Sequence, residues 1–155
     1  LKRLQEGKVD ALVLARAGLK RMNRIFQPSC LLPLDDFVPA AGQGALGVEC
    51  RADDAKMIDM LACLHDEPSA LCVHAERFVV RALGAHCHMP LAVYASCRDE
   101  QIMIRARLDP KAGDYLVVSV SGLIDESQHV AATVAESMIA QGALDYLNQE
   151  QDDED

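Results

Sequence analysis

The hydrophobic period of this chain changes at Leu91, and that change limits the folds open to it. Leu91, Val93, Ala95 and Cys97 alternate with Ala92, Tyr94 and Ser96. Ile102, Ile104, Ala106 and Leu108 alternate with Met103, Arg105 and Arg107. Successive side chains of a strand point to opposite faces, so a period of two marks strands with one covered face. A third, Val-rich run occupies residues 115–121. Short polar turns at residues 98–100 and 109–114 join the runs, which favours an antiparallel meander.

Ahead of Leu91 the period is helical. Asp53 and Asp54 stand where a helix N-terminus favours acids, and Met57, Ile58, Met60, Leu61 and Leu64 follow at helical spacing. Asp66 and Pro68 mark a second start, because proline suits the first helical turn. That helix runs through Leu71, Ala75, Phe78, Val79 and Ala82 and should stop at Gly84. A last helix over residues 126–141 carries Val130, Val134 and Met138 on one stripe, and Gly142 breaks it before a final short turn. Residues 53–148 therefore read as a small α+β domain, with helices covering a three-stranded antiparallel sheet.

Residues 1–52 read as pieces of α/β structure without their neighbours. A helix end at residues 2–6 is closed by Gly7, and VDALVLA at 9–15 fits a buried strand. A short helix starts near Arg16, residues 26–36 form a loop with Pro28 and Pro33, and ALGVECR at 45–51 again fits a strand. Residues 149–155 form an acidic tail.

Charge and cysteine usage narrow the chemistry. Net charge is −9, and five of the acids lie in residues 150–155. Residues 1–24 are biased the other way, with seven basic residues against Glu6 and Asp10. A local basic patch on an acidic chain fits a small anionic ligand better than nucleic acid; the plainer reading is a solvated helix face. No apolar run can span a bilayer, and no signal-peptide pattern opens the chain. The first residue is Leu1 rather than Met, which suggests a fragment or processed product. Six cysteines at 30, 50, 63, 72, 87 and 97 form no C-x-x-C pair. They fit a reducing, cytoplasmic compartment without a disulfide framework.

Three motifs invite a functional reading. Gly42-Gln43-Gly44-Ala45-Leu46-Gly47 matches G-x-G-x-x-G literally. A dinucleotide site needs a strand before the glycines and a helix after them, whereas Pro39 precedes and strand-like residues follow. The glycines fit a tight chain crossing better. His86-Cys87-His88 could join His65 or His74 in a zinc site only if the side chains converged, which consecutive residues do poorly. Cys87 alone lies on a loop, three residues beyond a helix end, where a thiol can be modified. Nothing suggests an oxyanion hole for a nucleophilic hydrolase.

Three segments in order, LVLARAGLKR at 12–21, PAAGQGALGVEC at 39–50 and AERFVVRALGAHCHMP at 75–90, resemble characteristic stretches of porphobilinogen deaminases. The resemblance implies a transferase that joins four porphobilinogen units into hydroxymethylbilane, releases ammonia, and serves tetrapyrrole biosynthesis. It implies a dipyrromethane cofactor on a thioether to Cys87, with Arg21 against cofactor or substrate carboxylates. Gln43 and Gly44 match a supporting loop near an inter-domain cleft. It further implies a periplasmic-binding-protein-like α/β portion within 1–52 and a cofactor-cysteine domain over 53–148. No metal is expected, nor any nucleic-acid or membrane partner, and the complete enzyme is expected to be monomeric. Ala85 and His86 stand where the family has Gly-Gly, which would crowd the loop. The chain is expected to lack the N-terminal domain and its catalytic aspartate, and so to be inactive alone. The alternatives are a non-catalytic structural or binding domain needing a partner chain and, further off, a zinc-binding domain.

Overall fold

The computed structural model describes residues 1–23, 30–86, 89–109 and 114–152, with side chains described up to Leu147. Two compact units emerge, Leu1–Leu32 and Pro33–Asp155. The first holds α1 (Lys2–Gln5) and α2 (Arg16–Arg21). Gly7, at φ 65, lets the chain turn back after α1 so that the Lys8 N–H reaches the Arg3 carbonyl at 2.9 Å.

Neither segment expected to be a strand is one. Residues 9–15 and 45–51 have no strand pairing, and Val13 and Leu46 are each 82% exposed. A lone extended segment leaves its N–H and C=O groups to water; only a partner strand converts an apolar run into β structure. No such partner exists for either segment among the described residues.

The second unit contains α3 (Ala55–Leu61), continued by a 3₁₀ turn, and α4 (Glu67–Ala82). It continues with β1 (Leu91–Arg98), β2 (Gln101–Leu108) and β3 (Leu116–Leu123), then α5 (Ser127–Ala140) and α6 (Ala143–Asp152). Both expected N-caps form. Asp54 accepts the Met57 N–H and Asp66 accepts the Ser69 N–H, each at 3.0 Å. The Ser69 hydrogen bonds hold the Asp66 carboxyl below the usual range. Gly84, at φ 63, ends α4, with the Ala85 N–H on the Val80 carbonyl. A ten-residue helix replaces the short turn expected after Gly142, because Ala143 and Leu147 bury against the core.

The sheet is an antiparallel meander in the order β1-β2-β3, with Ala95 opposite Ile104 and Ile104 opposite Val120. Asp99 and Glu100 turn the first hairpin with φ of 49° and 62°. Positive φ at both central residues is the type I′ pattern, whose twist matches that of paired strands. Val93, Ala95, Ile102, Ile104, Ala106, Leu108 and Val118 face α4 and α5 and pack with Val79, Val134 and Met138. Val130 of α5 packs so close to β3 that a Cβ on Gly122 would lie 2.6 Å from its methyl. By contrast α3, though helical at the expected place, buries none of its side chains.

Gly122→Ala should therefore destabilise the second unit by about 1–3 kcal/mol in urea unfolding. Adding Val130→Ala should recover part of that loss; strictly additive losses would show that the contact does not limit the site.

Candidate functional site

The region singled out by the sequence centres on the end of α4 and the segment leading to β1. Cys87 and His88 lie outside the described residues. Their neighbours are held on both sides. The His86 N–H points to the Met89 sulfur at 3.3 Å, and the Met89 N–H donates to the His86 carbonyl at 3.1 Å. The Leu91 N–H closes on the Met89 carbonyl at 2.8 Å as β1 begins. Ala85 is half-buried against the core, and His86 is exposed. Neither takes a positive φ, so their side chains impose no left-handed strain where glycines were expected.

A residue the sequence reading did not single out organises this corner. Glu76 is 5% exposed, the one buried charged side chain among the described residues. Its Oε2 accepts the Gly42 N–H at 2.6 Å, and its Oε1 accepts the Ala95 N–H at 2.8 Å. One carboxylate thus ties the glycine turn to α4 and to the free edge of β1. Charge-assisted bonds of this kind are what make a buried carboxylate tolerable. Gly42, at φ 74, can turn there, and the Arg77 guanidinium lies 3.9 Å from where its Cβ would be. The signal was available: Glu76 interrupts the inward stripe of Cys72, Ala75 and Val79, and a carboxylate there needs partners.

The G-x-G-x-x-G segment is accordingly a clamped turn, with no strand before it and no helix directly after it. Gln43 and Gly44 are exposed, and Gly44 takes φ 89. Arg21 is the exposed last residue of α2 in the first unit. Among the described residues, Arg16, Lys20 and Arg21 have no acidic partner.

The arginines of β2 are different. Arg105 pairs with Asp35, and Arg107 grips both Asp109 carboxylate oxygens at 2.7 and 2.8 Å. The Tyr115 ring lies 4.3 Å from the Arg107 guanidinium carbon. Asp109 raises the Arg107 pKa, and Arg107 holds the Asp109 carboxyl below its usual range. These cations are already neutralised, whereas those of α2 are available to an external anion. No group of three His, Cys, Asp or Glu side chains close enough for a metal occurs among the described residues. No described helix is long and apolar enough to cross a membrane.

This is the class of small α+β domain in which helices cover one face of a three-stranded antiparallel sheet. Comparison with known proteins identifies it further. The family model "Porphobilinogen deaminase, dipyromethane cofactor binding domain" matches residues 1–59, and "Porphobilinogen deaminase, C-terminal domain" matches residues 70–140. A porphobilinogen deaminase of Thiobacillus denitrificans is 40% identical over 149 residues, which is 96% of this chain and 49% of that protein. One from Legionella pneumophila is 37% identical over 150 residues, 96% of this chain and 48% of its own. One from Coxiella burnetii is 38% identical over 156 residues, 96% and 49%. The chain belongs to the porphobilinogen deaminase family, and it spans about half the length of the curated relatives it matches.

Glu76→Ala would strand two backbone N–H groups and should cost about 2–5 kcal/mol in urea unfolding. Glu76→Gln keeps one acceptor oxygen and should lose less. Equal stability of all three chains would mean that the carboxylate bridges nothing.

Proposed function

We propose that this chain is the C-terminal part of a hydroxymethylbilane synthase, a transferase that condenses four porphobilinogen units with release of ammonia. The observation that carries the reading is the order of the two matched domains, with Cys87 between α4 and β1 in the second. In this reading residues 1–52 belong to cleft-forming, periplasmic-binding-protein-like α/β domains, 53–148 to the cofactor-cysteine domain, and 149–155 to an acidic tail. The working compartment is the cytoplasm.

Cys87 would hold dipyrromethane through a thioether, a bond that outlasts repeated additions at the far end of a chain. The cofactor, when bound, supplies the anchor from which the pyrrole chain grows. Its acetate and propionate groups require cations, and Arg21, exposed and without an acidic partner among the described residues, fits that chemistry. Gln43 and Gly44 shape the turn that Glu76 clamps and act through the backbone rather than on substrate. Arg105 and Arg107 stay with their own acids and take no part in carboxylate binding. Deamination needs a carboxylate against the cationic intermediate, and in this reading it comes from the N-terminal half of the enzyme.

A second reading is a non-catalytic half that folds onto a partner chain. Exposed Leu12, Val13, Leu14, Met57, Ile58 and Met60 favour the need for a partner.

The isolated chain should show no porphobilinogen turnover. Co-produced with the remaining N-terminal half of a relative, it should gain a mass addition of two pyrrole units, placed on Cys87 by fragmentation and absent from Cys87→Ser. An addition on another cysteine, or none in an active complex, would overturn the assignment. Turnover by the chain alone would overturn the predicted inactivity.

A further inference from the structure

We propose that Cys72 and Cys97 form an oxidation-dependent staple, a disulfide that joins α4 to β1 and is absent from the reduced chain. The two sulfurs are 3.5 Å apart, Cys72 on the inner stripe of α4 and Cys97 near the end of β1. A disulfide has its sulfurs about 2 Å apart, so closing the bond needs a movement of only ~1.5 Å. Both thiols are half-buried, while Cys30, Cys50 and Cys63 are exposed.

The two thiols differ in access. Cys97 lines an open surface cavity of about 280 Å³, beside Pro68, Leu71, Arg98 and Asp99. Cys72 does not line it. Burial, followed by the neighbouring Cys97, pushes the Cys72 thiol up to about 12, so Cys72 is protonated at neutral pH and is a poor first nucleophile. Cys97 therefore meets the oxidant and Cys72 resolves the product.

The oxidant is a hydroperoxide. The Cys97 thiolate attacks one peroxide oxygen; the S–O bond forms, the O–O bond breaks, and with hydrogen peroxide one water leaves after protonation. Cys72 then attacks the Cys97 sulfenic sulfur and loses its proton. The S–S bond forms, the S–O bond breaks and a second water departs. The two thiols together lose two electrons, and the peroxide gains them. An added dithiol reverses the link and is itself oxidised.

The consequence is local. α4 ends at Ala82 and β1 starts at Leu91, so the cross-link closes the stretch of chain that contains Cys87. It ties together the same two elements that Glu76 bridges, but covalently. Restricting the unfolded chain in this way should raise the melting temperature by at least about 5 °C.

The test treats the full reduced chain with one equivalent of hydrogen peroxide, alkylates it in denaturant, digests it without reduction and maps the peptides. The expected result is an intrachain Cys72–Cys97 peptide pair lacking two hydrogen atoms, together with the higher melting temperature. In Cys72→Ala the link should be absent, and Cys97 should be trapped by dimedone as a sulfenic acid. The proposal is overturned if both cysteines stay alkylatable while the exposed ones oxidise, or if either pairs with another cysteine or another chain. The map of the unaltered chain decides this whether or not the variant folds.

Discussion

The second unit depends on one buried carboxylate. Helices and sheet edges both leave backbone groups unpaired, and β1 is an edge strand of a three-stranded sheet. Glu76 supplies the acceptor that the Ala95 N–H of that edge lacks, and its other oxygen holds Gly42. The same side chain thus joins α4, the sheet and the glycine turn. Ala41 packs against the core on one side of the turn, while Gln43, Gly44 and Ala45 beyond it are exposed, so Glu76 supplies the polar half of its anchorage. The hydrophobic core sets where α4 and α5 lie on the sheet; Glu76 sets where the preceding segment meets them.

The other face of the sheet is organised by charge. Arg105 and Arg107 stand on the β2 positions that alternate with the buried Ile104, Ala106 and Leu108. Both reach the Asp35–Asp36 region, Arg105 through a carboxylate and Arg107 through the Asp36 carbonyl at 3.4 Å. The loop that follows Pro33 is thereby held on the open side, while α4 and α5 occupy the closed side.

Periodicity made this second unit largely legible. The alternation from Leu91 located β1 and β2, the Val-rich run located β3, and Asp66, Pro68 and Gly84 bounded α4 within a residue or two. The strand readings at 9–15 and 45–51 failed for a physical reason. An apolar run states that a segment wants burial, but β structure also requires a partner that the run does not encode. The stripe of α3 carries the same ambiguity, since it formed a helix and still buried nothing. Glu76 was overlooked because a charge inside a helix normally faces solvent; its place in the inward stripe was the cue. Ala85, one of the two residues expected to crowd a loop near the cofactor, packs against the core, and His86, the other, is exposed. The roles proposed for Cys87 and Arg21 rest on resemblance, because neither spacing nor period distinguishes a tether from an incidental thiol.

Arg21 and the glycine turn fall in the first family match, residues 1–59, and Cys87 falls in the second, residues 70–140. Glu76 connects the turn of the first match to the helix of the second. Amide hydrogen exchange at Gly42 tests that connection most directly. The account predicts that the Gly42 N–H, although on a surface turn, exchanges slowly alongside that of Ala95, and that Glu76→Ala releases both. A Gly42 amide exchanging at the rate of a free peptide, with Ala95 still protected, would contradict it.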